Sequence, residues 1–307
     1  MIRLQLPKIR PVFIVIILIL LGVFIREYFV HRPPEILAPA SFEEIVIDSG
    51  VDNDSMPAIN ESVFESVAAA DTYLENDGLG IALTENKIAR FFPFQILVWH
   101  HLVNDVWGRV PILVSYNPLC GNSGVFESYT SEGILHFENS GQVLNNSFLM
   151  TDKNSGSLWN PLSGQAISGT KTGQSLHRLN STVMTWNSFK KNFSDGEVLS
   201  RETGFTRDYS KNPYGDYFTS PDILFPLSKY DASLSAKTLV YSYGSLVYPE
   251  DNIKNSKSIV DEVDGKKISL LWDEDWQTVR GFELAEDGSL VDEVPLVPMY
   301  WMCWLTK

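Results

Sequence analysis

From residue 80 onward the chain is cut into short apolar runs closed by Gly, Asn, Asp or Pro: "GIALTEN", "KIARFFP", "VPILVSY", "GVFES" and "GILHFEN". Runs this short do not suit the long amphipathic helices of a bundle, and their β-branched and aromatic residues favour strands. "TENK" and "SEGI" read as hairpin turns. Two stretches depart from the pattern. "MPAINESVFESVAAADTYL" places Ile59, Val63, Val67 and Ala70 at helical spacing, with Pro57 near the start. "TWNSFKKNF" puts Trp186, Phe189 and Phe193 on one helical face. The expected fold is mainly β with a few short helices, at the margin of α+β.

Residues 11–25, "PVFIVIILILLGVFI", carry no charge. Continued to Val30, the run reaches about the 20 residues that cross a bilayer core as a helix. Arg3, Lys8 and Arg10 precede it, which predicts a cytoplasmic N-terminus and an exported body. The small-residue stretch Ala38 to Ala40 lies far beyond the run for a cleavage site, so an uncleaved signal anchor is expected. This gives a cytoplasmic tip and transmembrane anchor over 1–30, with the lipid bilayer as partner through residues 11–30. The protein is then a single-pass membrane protein. A Pro-, Ser- and acid-rich linker follows over 31–55. Formal net charge is −14. Without the five basic residues that flank the run and Glu27, 19 basic and 37 acidic side chains remain, a balance of −18. Such a surface repels phosphate backbones, so nucleic acid is not an expected partner.

The compact region divides into a first lobe over 56–230 and a shorter second lobe over 231–307, which resembles residues 81–193. Val103 matches Val260, Val106 matches Val263 and Gly108 matches Gly265. After a one-residue gap, Phe126-Glu127 matches Phe282-Glu283. "FFP" at 91–93 sits where "VYP" lies at 247–249, and "VMTWNSF" resembles "VPMYWMCW". Two related β-rich lobes from an internal duplication are expected. The second copy lacks the chemistry of the first: "WDEDWQT" stands where the first has "YNPLCGN", and His100 and His101 have no counterpart.

Several motifs, in order, carry a family resemblance: "PAINESVFESVAAADTYL", "WHHLVND" at 99–105, "YNPLCG" at 116–121, "SGSLW" at 155–159, "SGQAISG" at 163–169 and "LSRETGFTRDYSKNPYGDY" at 199–217. Over most of residues 56–227, and more loosely to the end, the chain resembles DUF3179, an uncharacterised family of exported bacterial and archaeal proteins. The resemblance implies no activity. Two positions depart from the family motifs. Asn117 replaces the first cysteine of a Cys-Pro-Leu-Cys motif, and His101 replaces the glutamate that follows the motif histidine. With Asn117, a local dithiol–disulfide cycle is impossible.

Four groups of residues could carry chemistry. His100, His101 and Cys120 combine imidazole and thiolate, which suits copper or zinc. His100 and His101 are adjacent, so on a strand they face opposite ways. His136 and His177 lack a spacing argument, and the alternative is a buried Trp99-His100 pair bonded to backbone. Cys120 could instead be a nucleophile activated by His100, with Asn104 or Asp105 orienting the imidazole and "CGNSG" offering N–H groups to an oxyanion. Cys120 and Cys303 could also pair as a disulfide, since exported thiols oxidise. Their separation alone does not decide whether they meet. Arg201 and Arg207 could hold an anionic ligand, or pair with Glu202 and Asp208. Trp159, among glycines, could form a carbohydrate platform or close packing. The expected role is a binding or accessory module outside the cytoplasm. The rival readings are an exported thiol enzyme and a purely structural surface module.

Overall fold

In the computed structural model the described residues are 46–50, 55–85 and 88–306. The expected anchor over 11–30 and most of the linker lie outside them. Among the described residues no helix is long and apolar enough to cross a membrane.

The fold is mainly β, with a few short helices. Three larger sheets are built from residues 46–199, beside a two-stranded hairpin of Tyr129–Thr130 and Gly133–Ile134. One orders its strands Ser181–Thr185, Leu79–Glu85, Ile88–Pro93, Glu197–Leu199 and Phe64–Ser66. Its neighbours are antiparallel except Glu197–Leu199, which runs parallel to Ile88–Pro93. A second orders Arg178–Leu179, Asn122–Glu127, Val110–Asn117 and Leu102–Trp107. The third is formed by Val46–Asp48, Phe137–Leu144, Ser147–Asp152, Leu158–Asn160 and Gln165–Ser168. Later residues add a three-stranded sheet (Leu246–Pro249, Leu239–Tyr243, Val297–Tyr300) and a four-stranded one (Ser258–Val263, Lys266–Asp273, Thr278–Leu284, Leu290–Val294).

The strands expected from "GIALTEN", "KIARFFP", "VPILVSY" and "GVFES" are present, while "GILHFEN" is divided between Gly133–Ile134 and Phe137–Leu144. The helix Trp186–Asn192 is present, capped by Thr185, whose hydroxyl accepts from the Ser188 N–H. Two further expectations need correction. The long helix from Met56 shrinks to Val67–Ala70. Ile59 instead bridges Val103 in parallel, and Phe64–Ser66 pairs with Glu197–Leu199. The helical spacing of Ile59 and Val63 was overridden because their backbone groups satisfy sheet edges. Within the expected linker, Val46–Asp48 is an edge strand paired with Phe137–Leu144.

The order strand, strand, helix, strand, strand, strand occurs twice. Ile88–Pro93 leads into the helix Phe94–His100, then into Leu102–Trp107, Val110–Asn117 and Asn122–Glu127. Leu246–Pro249 leads into Glu250–Ser256, then into Ser258–Val263, Lys266–Asp273 and Thr278–Leu284. Each helix follows a proline, whose fixed φ and missing N–H suit a helix start. The ladders agree residue for residue. Leu102 faces Ser115 as Ser258 faces Leu271, and Trp107 faces Val110 as Val263 faces Lys266. Tyr116 faces Ser123 as Trp272 faces Val279. Met184 faces Gly80 as Met299 faces Val240.

This register corrects the alignment read from sequence. Val103 faces Val114 as Ile259 faces Leu270, so Ile259, not Val260, holds the position of Val103. Val103 is fully buried and Val260 is 57% exposed. A one-residue slip turns every side chain to the opposite face, and burial exposes the error. Phe126 and Phe282 correspond without a gap, facing Leu113 and Ser269.

The two segments meet reciprocally. Asn122–Glu127 packs against Val297–Tyr300, and Thr278–Leu284 packs against Ser181–Thr185. Asn122 Nδ2 donates to the Pro298 carbonyl at 3.1 Å, and Thr278 Oγ1 donates to the Val183 carbonyl at 2.7 Å. Cys120 and Cys303 form a disulfide at this junction, with their Cα atoms 5.8 Å apart and both residues fully buried. Leu162, Leu227, Val240, Met299 and Met302 surround it.

The disulfide closes a very long loop, so its loss should destabilise mainly by freeing the unfolded chain. The double variant Cys120→Ser with Cys303→Ser should lose about 2–5 kcal/mol in denaturant unfolding. Cys303→Ser alone should leave a Cys120 thiol that labels only when the protein unfolds.

Candidate functional site

His100 ends the helix Phe94–His100, and His101 is its cap, with φ 58° and ψ −39°. The two imidazoles therefore do not alternate along a strand as expected, although they still diverge. The His101 backbone is unusual for a side chain with a Cβ. Lys257 closes Glu250–Ser256 with φ 66° and ψ −36°. The conformation thus belongs to the helix-to-strand turn rather than to imidazole chemistry.

Each imidazole sits in a complete hydrogen-bond chain. His100 Nδ1 lies 2.9 Å from the Pro57 carbonyl, which only accepts, so Nδ1 carries the proton. Nε2 then accepts from the Tyr209 hydroxyl at 2.6 Å, and Tyr209 accepts in turn from Thr203. His101 has the other tautomer. Asn139 Oδ1 accepts from the Gly141 N–H, which turns its Nδ2 donor toward His101 Nδ1 at 3.1 Å. His101 Nε2–H therefore donates to the Tyr214 hydroxyl at 2.8 Å, and the ring stacks on Phe148. Burial pushes the pKa of His100 down to about 4 and that of His101 down to about 3.

The structure brings the two sequence segments together but not their reactive atoms. The Tyr116 N–H donates to the His101 carbonyl, so the "NPLCGN" hairpin begins beside the histidines. The Cys120 sulfur turns to Cys303 instead. This corrects both readings of Cys120: bound as a disulfide, it is neither a nucleophilic thiolate nor a metal ligand. Among the described residues no group of three or more His, Cys, Asp or Glu could hold a metal ion, so His100, His101 and Cys120 do not form the expected copper or zinc site. His136 and His177 are exposed, whereas His100, His101 and Cys120 are buried. The supporting groups are also engaged elsewhere. Asn104 braces Asn60 and the Phe137 backbone, Asp105 pairs with Arg90, and Asn122–Glu127 is a ladder strand rather than an oxyanion loop.

Trp159 is fully buried, its Nε1 donates to Asp152 at 2.8 Å and its ring meets Phe137 edge-on. It is core packing, not a carbohydrate platform. Arg201 and Arg207 line one cleft, with guanidinium groups over Tyr73 at 3.7 Å and Trp99 at 5.8 Å. Among the described residues neither forms the expected ion pair with Glu202 or Asp208. Asp208 instead pairs with Lys211.

A different site emerges where the two segments meet. A cavity of about 460 Å³ is lined by Phe94, Tyr116, Tyr209, Phe218, Tyr241 and Tyr300. Corresponding positions from both segments enter it: Leu79 with Leu239, and Val183 with Pro298. Phe94 and Tyr116 stack with ring centroids 3.9 Å apart. Burial holds the Tyr116 hydroxyl far above the ordinary tyrosine value, so the phenol stays neutral and able to donate. At Gly121, φ is +58°, and the Tyr300 ring lies 2.8 Å from where a Cβ would sit. That turn therefore needs glycine twice over, for its backbone and for the ring. Sequence reasoning missed this site because its aromatics are scattered from residue 94 to residue 300. The only signal was the high aromatic content.

A family model for proteins of unknown function, DUF3179, matches residues 53–304. The chain belongs to the DUF3179 family. The match spans both strand-built segments and the junction between them. No curated protein and no solved structure matches the chain.

Because both histidines bind protons more weakly when folded, the unfolded state takes up more protons as pH falls. Their stabilising contribution is complete above about pH 6.5. It should decline through pH 4, with a slope of up to about 1.4 kcal/mol per pH unit for each histidine. Urea unfolding from pH 7 to pH 4 should show the decline, and His101→Gln should reduce the slope.

Proposed function

We propose that this chain is a membrane-anchored, extracytoplasmic binding protein rather than a thiol-dependent enzyme, and that its ligand occupies the aromatic cavity. Residues 11–30 hold it in the bilayer with the N-terminus cytoplasmic, and nucleic acid is not a partner. A buried disulfide suits an oxidising compartment outside the cytoplasm. The body is built from an internal duplication. The matching ladders, the shared cap conformation at His101 and Lys257, and the paired bonds from Asn122 and Thr278 support that origin.

The observation that carries the binding reading is the cavity at the junction. Its volume is in the range of small-molecule sites, and it is walled by aromatic rings with neutral phenols at hand. A lining of this kind suits an uncharged, largely apolar molecule bearing one or two hydrogen-bonding groups. Rings from elements distant in sequence converge there, whereas the thiol chemistry expected of Cys120 has no free sulfur.

Indole serves as a probe. Calorimetric titration of the full chain should show saturable indole binding, and Val183→Phe, which fills the cavity, should weaken it about tenfold or more. Equal binding by the filled variant and the parent would remove the cavity from the reading. A reporter active only outside the cytoplasm, fused to the C-terminus, should be active if the orientation is correct.

A further inference from the structure

The cleft that holds Arg201 and Arg207 has a volume of about 750 Å³ and shares Tyr209 and Ser210 with the aromatic cavity. Arg90 bridges Asp105 and Glu197, and Arg280 bridges Asp273 and Glu293. Arg201 and Arg207 rest on aromatic faces, as Arg178 does on Phe126, and among the described residues neither has a carboxylate partner. Arg178 gives its donors to the Ser123 and Leu162 carbonyls. Arg207 Nη2 donates to the Ser55 carbonyl at 3.1 Å, while its Nε is buried with no acceptor. A desolvated guanidinium N–H without a partner is costly, and an arriving anion relieves that cost.

Three carboxylates also line the cleft, and two of them are already engaged. Glu65 accepts from the Tyr73 hydroxyl at 2.5 Å. Asp208 accepts from the Ser210 N–H and hydroxyl and pairs with Lys211 at 3.0 Å. Glu202 is the third. Asp208 is matched by Lys211, and the two guanidinium groups stand against Glu65 and Glu202, of which Glu202 has no side-chain partner among the described residues. Beside them Val63 and Phe205 are 42% and 40% exposed, and Phe64 is half-buried, so one part of an otherwise polar wall is apolar.

We propose that this cleft is a second binding site, for an organic carboxylate whose oxyanion is held by Arg201 and Arg207 and whose apolar body rests on Val63, Phe64 and Phe205. Guanidinium forks match carboxylate geometry and discriminate against neutral ligands. The apolar part of the wall favours a carboxylate on a hydrocarbon body over a bare inorganic oxyanion. Arg201 and Arg207 line this cleft and not the aromatic cavity, so either site can fail without the other.

The test is calorimetric titration of the full chain in detergent, with micelle blanks, using benzoate and inorganic phosphate as probes. Benzoate should bind saturably, with phosphate much weaker. Arg207→Gln and Arg201→Gln should each weaken benzoate about tenfold or more. Should Arg207→Gln not fold, as judged by near-UV circular dichroism, the exposed Arg201→Gln carries the comparison. Lack of benzoate saturation, benzoate binding unchanged in the folded variants, or phosphate binding as tight as benzoate would each overturn the proposal. Indole binding should be unchanged in both variants, which separates this site from the cavity.

Discussion

The structure depends on the reciprocal contact between two strand-built segments. Asn122 reaches across to the Pro298 carbonyl, and Thr278 reaches back to the Val183 carbonyl. The junction is therefore used from both sides in the same manner. Leu79 and Val183 from one segment and Leu239 and Pro298 from the other all line the aromatic cavity at this junction. The "NPLCGN" hairpin is a docking element of the same junction: the Cys120 carbonyl receives the Tyr300 N–H, and its sulfur joins Cys303. The sulfur thus ties two segments together.

Local signals in the sequence were reliable where local chemistry decides the outcome. The "SEGI" turn joins Tyr129–Thr130 to Gly133–Ile134 as a hairpin, as its Gly-containing sequence indicates. Thr185 caps its helix in the same self-contained way. Signals failed where a distant partner decided. Ile59 lies at helical spacing with Val63, but its N–H and carbonyl bond Leu102 and Asn104, more than forty positions away. A likeness between residues 103–127 and 260–283 was visible, yet a β period of two made its register ambiguous until burial separated Val103 from Val260.

The candidate site was legible only in its pieces. The sequence placed His100, His101 and Cys120 within one region, and the backbones of those segments do adjoin. It did not reveal the directions of the side chains. His100 is taken up by Pro57 and Tyr209, His101 by Asn139 and Tyr214, and Cys120 by a residue 183 positions later. Arg201 and Arg207 reversed the usual expectation for an alternating charge run, because Tyr73 and Trp99 offered ring faces where carboxylates were expected.

The disulfide also sets an order of events. Cys120 is synthesised long before its partner, and oxidation must wait until the whole stretch between them has been made. During that interval the earlier thiol is open to the wrong oxidant or to a neighbouring chain. Having only two cysteines in the chain limits the damage: within one molecule there is a single possible crosslink, and no isomerase is needed to choose among alternatives.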